Sequence, residues 1–562
     1  MTYYNTPISR RKQKIALAVE QALDAARAAG ALDFAAIPAF AVETPREAAH
    51  GDFATNIAML LSKAARKNPR AVAEAIAAHF DTEAAGVQAL AIAGPGFINF
   101  HMPMGWHCQL LAEILAQGGK FGHSDAGAGQ KIQVEFVSAN PTGELHMGNA
   151  RGAAIGDSLA SLLSMAGFDC HREYYINDAG NQIDKFGLSL EARYLQALGE
   201  EADFPEDGYH GEDLPLLMAE LVQQDGAKYR ELAPQPRREQ LITYALNRKL
   251  ADIRAALENF GIQYDVWFSE KSLHASGAVN EVIGELRRGG WLLEKDNALW
   301  LDCQRFGEEK PEVLVRGNGV PTYYAADIAY HQDKFNRGFN TVIDIWGADH
   351  HGHVARMQGA MEALGYKREQ LEVILMQFVR LYQGGEIIKM SKRTGTYVTL
   401  NELVEEVGRD AARFIFVMRS ADNLIDFDLD LAKQQTAENP VYYVQYAHAR
   451  ICSIIRTAEE AGYSLPAQPL AAAQLSPLTH GSEQALIRRL ADFPDEVITA
   501  ALQREPHRIA VYVQEVAALF HNFYNHCRVL DEDAALFAAR ISLARATAMA
   551  LATGLNALGV SA

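Results

Sequence analysis

The chain has 562 residues, 49% of them hydrophobic and 22% charged, which suits a soluble globular protein of three or four domains. Its formal net charge of −18 disfavours a uniform nucleic-acid coat, because nonspecific affinity comes from neutralising phosphates. Residues 431–562 hold ten lysines and arginines against twelve acidic residues, so a local basic face remains available there. No apolar run approaches the roughly 18 residues of a membrane span. The stretch after Arg10, Arg11, Lys12 and Lys14 is interrupted by Glu20, Asp24 and Arg27 and lacks a signal core, so the expectation is a cytoplasmic protein. Cys108, Cys170, Cys303, Cys452 and Cys527 form no CxxC pair, which argues against a zinc ribbon or a disulfide framework.

In chain order, residues 1–125 begin with an alanine-rich amphipathic helix, pass through 50–56 and a second helix, and reach 93–100, a small α/β module. The glycines between 118 and 129 read as a linker before a strand at 131–137. Over 126–430 strand and helix patterns alternate: helix at 155–163, strand at 173–176, strand at 341–346, helix at 353–364, strand at 371–381. Alternation of this kind predicts an α/β domain with a doubly wound, Rossmann-like parallel sheet. Residues 190–290 are polar and mostly helical, as an insertion between its two halves would be. From about 405 onward no strand signal remains. Asn439-Pro440 is a helix start, Val444, His448, Ile451 and Ile455 form one stripe, and Ile509 to Cys527 form another. Residues 431–562 therefore read as an α-helical bundle.

Two short segments carry chemistry. The apolar run 134–137 and the polar turn 138–143 lead into His146-Met147-Gly148-Asn149, so a helix starts where its N–H groups and dipole would meet an anion. His146 and Asn149 can donate to phosphate oxygens, and Gly148 permits close approach of a nucleotide. Lys389-Met390-Ser391-Lys392 lies in a loop with glycines at both ends, where Lys389 and Lys392 suit charge that migrates onto a leaving pyrophosphate. Each motif alone is weak. Their order and their strand–turn–helix context resemble the two signatures of class I aminoacyl-tRNA synthetases.

The wider segments 139–151, 174–183, 321–327, 346–353 and 439–450 closely resemble bacterial arginyl-tRNA synthetases along essentially the whole chain. The resemblance implies ATP-dependent activation of L-arginine to arginyl-adenylate and transfer to the terminal ribose of tRNA(Arg), starting at the 2′-hydroxyl. It implies Mg2+ accompanying ATP; no protein-bound transition metal is expected, since no second ligand set has metal spacing, and a monomer is expected. Glu135 and Asn140 would hold the arginine α-amino end, Tyr323 and Asp327 the guanidinium, and Asp349 and His350 would join the ATP site. Tail residues would read the anticodon, and the first 110 residues would touch the tRNA elbow. Asn149 departs from the histidine common at the fourth position of the first signature.

Plainer readings compete. Glu135 fits a surface carboxylate on an edge strand, Asp327 a helix cap, Tyr323 a core aromatic, and Asn177 and Asp178 turn formers. The cluster Asp349-His350-His351-Gly352-His353 invites a metallohydrolase, although no second ligand set has metal spacing. A metabolite nucleotidyltransferase shares the cradle but needs no RNA-binding tail.

Overall fold

The computed structural model describes residues 3–45, 47, 50–103, 105–206, 208, 209, 211, 213–388 and 397–562. At its centre is a five-stranded, all-parallel sheet in the spatial order Leu371–Met376, Thr341–Gly347, Lys131–Glu135, Asp169–Ile176, Val266–Ser269. Numbered along the chain this is 5-4-1-2-3, so strand order reverses between Lys131–Glu135 and Thr341–Gly347. Loops diverge at such a point and leave a crevice at the carboxyl ends of the strands.

Both faces of the sheet are covered, and alternation along the first strand shows how. Val134 and Phe136 face the Met147–Met165 helix, where Gly156 is required because a Cβ there would lie 2.2 Å from the Phe136 ring. Glu135 faces the opposite way, onto the Tyr323–Asn336 helix.

Residues 3–103 form the expected N-terminal module, with helices Pro7–Ala28 and Pro69–His79 packed on an antiparallel sheet in the order Val42–Glu43, Phe53–Thr55, Phe97–His101, Ala89–Ala93. The insertion contains helices Asn181–Ala197, Asp213–Asp225 and Pro234–Asn259 around their own core of Phe186, Leu190, Tyr194 and Leu241. The tail is a bundle of Pro440–Glu460, Gly481–Ala491, Phe493–Leu502, His507–His526 and Ala534–Ala557. Asn439 caps the first of these through Val441 N–H at 3.2 Å. Ala534–Ala557 is long and apolar enough to cross a membrane by length and mean hydropathy, although Arg540 and Arg545 interrupt its apolar residues. It is instead the core helix of the bundle, with Leu543, Leu551 and Leu555 fully buried.

Three strand expectations are corrected. The single strand expected at 371–381 is two strands in different sheets, Leu371–Met376 and Val379–Gln383. Gln377 leaves the central sheet because its N–H bonds Ala421 C=O at 2.9 Å and its C=O accepts Arg151 at 2.7 Å. The region 190–290, expected to be mostly helical, supplies the third central strand along the chain, the edge strand Val266–Ser269. Beyond 405, Ile425–Asp428 pairs in parallel with Val379–Gln383, where only Ile425 and Phe427 alternate inward. Two inward positions are too few for a periodic signal.

Candidate active site at the sheet switch point

The first strand ends in a tight reversal. Ser138 N–H donates to Phe136 C=O at 3.0 Å across Val137, whose φ is +70°. A β-branched residue in that region is strained, and a γ-turn of this sense is rare. The turn aims Ser138 Oγ back at Glu135 Oε1, at 2.8 Å, and places Val137 on the ridge between two clefts.

One cleft, of about 1020 Å³, is lined by His146, Gly148, Asn149, Asp349 and His350, with Phe378, Ile387 and Tyr397 across from them. His146 is the N-cap: its Nδ1 accepts the Gly148 N–H at 3.1 Å, and Asn149 Oδ1 accepts the His146 N–H at 3.0 Å. The Met147 N–H donates to Val398 C=O at 3.1 Å. The expectation of open amides at this helix start is therefore corrected, since those of Met147 and Gly148 are already taken. What the cleft receives are side-chain donors. Burial lowers the His146 pKa, so the ring is neutral, and with Nδ1 accepting, the proton sits on Nε2. The Asn149 amide NH2 is the second donor. Gly148 has a local reason to lack a side chain, because a Cβ would stand 2.9 Å from the His146 ring. Phe378, Ile387 and Tyr397, 63%, 48% and 70% exposed, form an apolar patch suited to a planar base. Lys389 and Lys392 lie outside the described residues.

The second cleft, of about 550 Å³, is acidic. Glu135, Glu270, Asp327 and Asp349 line it with Tyr175, Asn177, Tyr323, His350 and His353. Tyr323 and Asp327 share one side of the Tyr323–Asn336 helix, as their spacing predicts, and Tyr323 is 68% exposed. Asp327 accepts from His353 Nε2 at 2.7 Å and faces His331 Nδ1 at 3.3 Å. Burial opposes its ionisation, but His331 and His353 outweigh burial and hold the carboxyl well below the usual range. Asn140 does not join this cluster: it is exposed in the turn, outside the lining of both clefts. Asp178 caps the Glu270–Ser276 helix, accepting from Ser269 Oγ at 2.6 Å and Lys271 N–H at 2.9 Å, while Asn177 faces the cleft.

Sequence reasoning missed Glu270, Tyr175 and the buried groups behind Asp327. Asp344 carried a readable signal, a carboxylate inside an apolar run, which is costly unless it is partnered. The histidine cluster disperses rather than converging. His350 is exposed, His353 serves Asp327, and among the described residues no group of three His, Cys, Asp or Glu side chains is placed to hold a metal ion.

The two clefts share Val137, Ile345, Gly347, Asp349 and His350, so the His146 side and the Asp327 side adjoin at one wall. A 3-2-1-4-5 parallel sheet with this helix start at its switch point, an N-terminal module and a helical tail are the architecture of a class I aminoacyl-tRNA synthetase. Residues 110–455 match the family model "tRNA synthetases class I (R), catalytic domain". Residues 13–102 match "Arginyl tRNA synthetase N terminal domain", and 444–562 match "DALR anticodon binding domain". An arginine–tRNA ligase of Heliobacterium modesticaldum is 57% identical over 553 residues, covering 98% of each chain. One from Moorella thermoacetica is 56% identical over 555 residues, with 99% of each covered. The arginyl-tRNA synthetase structure of Thermus thermophilus shares the fold with a TM-score of 0.73 at 24% identity, covering 98% of this chain and 99% of that one. The chain belongs to the bacterial arginyl-tRNA synthetase family.

Proposed function

We propose that the acidic cleft takes arginine, the His146 cleft takes ATP, and their shared wall is where the two react. The enzyme is an arginine–tRNA ligase. An oxygen of the arginine carboxylate attacks the α-phosphorus of ATP, the new O–P bond forms as the bond to pyrophosphate breaks, and arginyl-adenylate results. The terminal 2′-hydroxyl of tRNA then attacks the arginyl carbonyl and AMP leaves. The first nucleophile is already ionised, so a protein nucleophile is unnecessary, and the chain's task is positioning and charge stabilisation.

In this reading the His146 Nε2–H and the Asn149 amide donate to ATP phosphates. Asp349 and His350 border the α-phosphate, and Phe378, Ile387 and Tyr397 receive the adenine. Asp327 and Tyr323 face the guanidinium, and Glu135 faces the α-ammonium. Lys389 and Lys392 meet the departing pyrophosphate. Lys392→Ala should lower the rate of adenylate formation about 100-fold while ATP affinity changes little, as pre-steady-state kinetics would measure. Mg2+ with ATP, anticodon reading by residues 431–562, elbow contact by 1–125, and a cytoplasmic monomer complete the proposal.

The observation that carries it is the shared wall between an anionic cleft and a cleft of neutral donors. The test is pyrophosphate exchange with each of the twenty amino acids, with and without tRNA. Exchange with arginine alone is expected, and exchange driven by another amino acid would overturn the assignment.

A further inference from the structure

A chain of buried ionic contacts runs behind the acidic cleft and joins its two ends. Glu135 Oε1 accepts from Ser138 Oγ, and Oε2 meets Lys334 Nζ at 2.5 Å. The same ammonium reaches Asp344 Oδ1 at 2.8 Å, and Asp344 Oδ2 meets His331 Nε2 at 2.7 Å. On the far side of that ring, His331 Nδ1 donates to Asp327 C=O at 2.8 Å with Oδ1 at 3.3 Å. Lys334 and Asp344 are fully buried and His331 is nearly so, whereas Asp327 is 27% exposed on the cleft wall.

Geometry fixes the protonation. Both His331 nitrogens face only acceptors, so both must donate, and the ring is an imidazolium. Burial opposes that charge and Lys334 repels it, yet Asp344 and Asp327 prevail and raise its pKa to about 10. Lys334 is held charged by Asp344 and Glu135 against burial. Within this buried chain three carboxylates, Glu135, Asp344 and Asp327, face two cations, Lys334 and His331, while His353 Nε2 meets Asp327 at 2.7 Å from the cleft side. Asp344 is sealed between Lys334 and His331, so the carboxylates that reach the cleft are Glu135 and Asp327. The neighbouring Arg337 is shared between Glu173 at 2.5 Å and Asp333 at 2.8 Å, so that group brings no spare cation.

We propose that His331 and Lys334 are positioning residues for the amino-acid site, holding Asp327 ionised and keeping Asp327 and Glu135 at fixed separation so that one cationic amino acid is gripped at both ends. This deepens the reading in which Asp327 and Glu135 contact arginine and rests on it. A buried ion network that served stability alone would lower the fraction of active enzyme without touching substrate preference. A positioning network instead changes arginine binding and leaves the ATP side as it was.

The experiment is steady-state pyrophosphate exchange, with tRNA present, on the full chain and on Asp327→Asn, Glu135→Gln, His331→Gln and Lys334→Met. Asp327→Asn and Glu135→Gln test the underlying reading: an unchanged arginine KM in both would remove the site itself. If that reading holds, His331→Gln and Lys334→Met should each raise the arginine KM about tenfold or more, with kcat and ATP KM within about threefold. Citrulline, the uncharged isostere, should inhibit these variants about as well as it inhibits the parent, so discrimination in favour of arginine narrows. An unchanged arginine KM with reduced kcat in both variants would overturn the positioning role while leaving the site intact. A measurement on the unaltered chain covers the case of variants that do not fold. Labelled with 15N-histidine, it should keep an imidazolium signal at a pH of about 8, where an ordinary histidine is neutral, and a spectrum of neutral rings alone would also overturn the proposal.

Discussion

At the scale of single residues, Gly148 and His146 act as one unit. A Cβ at 148 would stand 2.9 Å from His146 Cε1, so Gly148→Ala must turn the imidazole away from its cap position. Loss of the ring's aim and loss of the ring should then look alike. Gly148→Ala and His146→Asn are both expected to lower adenylate formation about 100-fold, and since asparagine still caps a helix, His146→Asn should cost little stability. Parallel rate and thermal-melt measurements check both halves. Glu270 offers a test by pH. Burial, joined by the negative charges of Asp178 and Asp327 and opposed by the Tyr175 hydrogen bond, pushes its carboxyl up to about 7. Below that pH the empty site keeps it protonated. A bound guanidinium favours the ionised form, so binding releases a proton, and arginine affinity should strengthen as pH rises through about 7 and then level off. Glu270→Gln should flatten that profile when dissociation constants are measured by calorimetry. A Glu270→Gln profile identical to that of the parent would remove Glu270 from the site.

At the scale of elements, the Met147–Met165 helix is anchored at its second turn by Arg151. This guanidinium, fully buried, donates to the carbonyls of Gln377, Ser420 and Asn423 at 2.7, 3.0 and 2.8 Å. It thereby fixes the break between Leu371–Met376 and Val379–Gln383, the stretch that carries Phe378 into the ATP cleft. Arg151→Met would leave the Gln377 and Asn423 carbonyls without a donor, while Ser420 C=O keeps the Asn423 N–H at 3.1 Å, for a loss of about 3 kcal/mol in urea titrations, and should raise the ATP KM as Phe378 shifts. The sequence made the helix start, the first strand and the Asn439-Pro440 cap readable, because capping and alternation are local signals. The break at Gln377 was not readable, since its cause is a guanidinium 226 positions earlier. Glu270 escaped for the same reason. It follows an ordinary four-residue strand, and only the lateral pairing of Val266–Ser269 with Asp169–Ile176 brings it to the cleft. Glu135, Tyr323, Asp327, Asp349 and His350 were reached through resemblance, and the sheet then placed them on one wall. Asn140, reached the same way, was not brought there.

At the scale of the whole molecule, the sequence divides into three parts more cleanly than the packing does. One continuous core of buried side chains runs from Ile8 through the Met147–Met165 helix to Val560. The tail meets the N-terminal module directly. Thr6 Oγ1 donates to Asp495 at 2.6 Å, Arg488 pairs with Asp52 at 3.2 Å, and the Phe121 and Phe493 rings lie 5.6 Å apart. It also meets the catalytic helix through Arg413, whose buried guanidinium joins Asp157 on that helix to the Leu558 carbonyl at the chain's end. Removing residues 431–562 would therefore take away one wall of a shared core, and Arg413 would lose its Leu558 acceptor and Phe121 the Phe493 ring. Net stabilities of domains are only about 5–15 kcal/mol, and the exposed apolar surface would exceed that. A fragment of residues 1–430 is thus expected to lack a cooperative melt and to show no arginine-dependent exchange, even though every residue assigned to arginine and ATP is retained. Differential scanning calorimetry on the fragment and the full chain decides the matter. A fragment that melts cooperatively and still exchanges pyrophosphate with arginine would show that the tail is an appended RNA reader. A fragment that does neither would make the tail part of the catalytic domain's fold, and loss of tRNA charging on its deletion would then say nothing about where the anticodon is read.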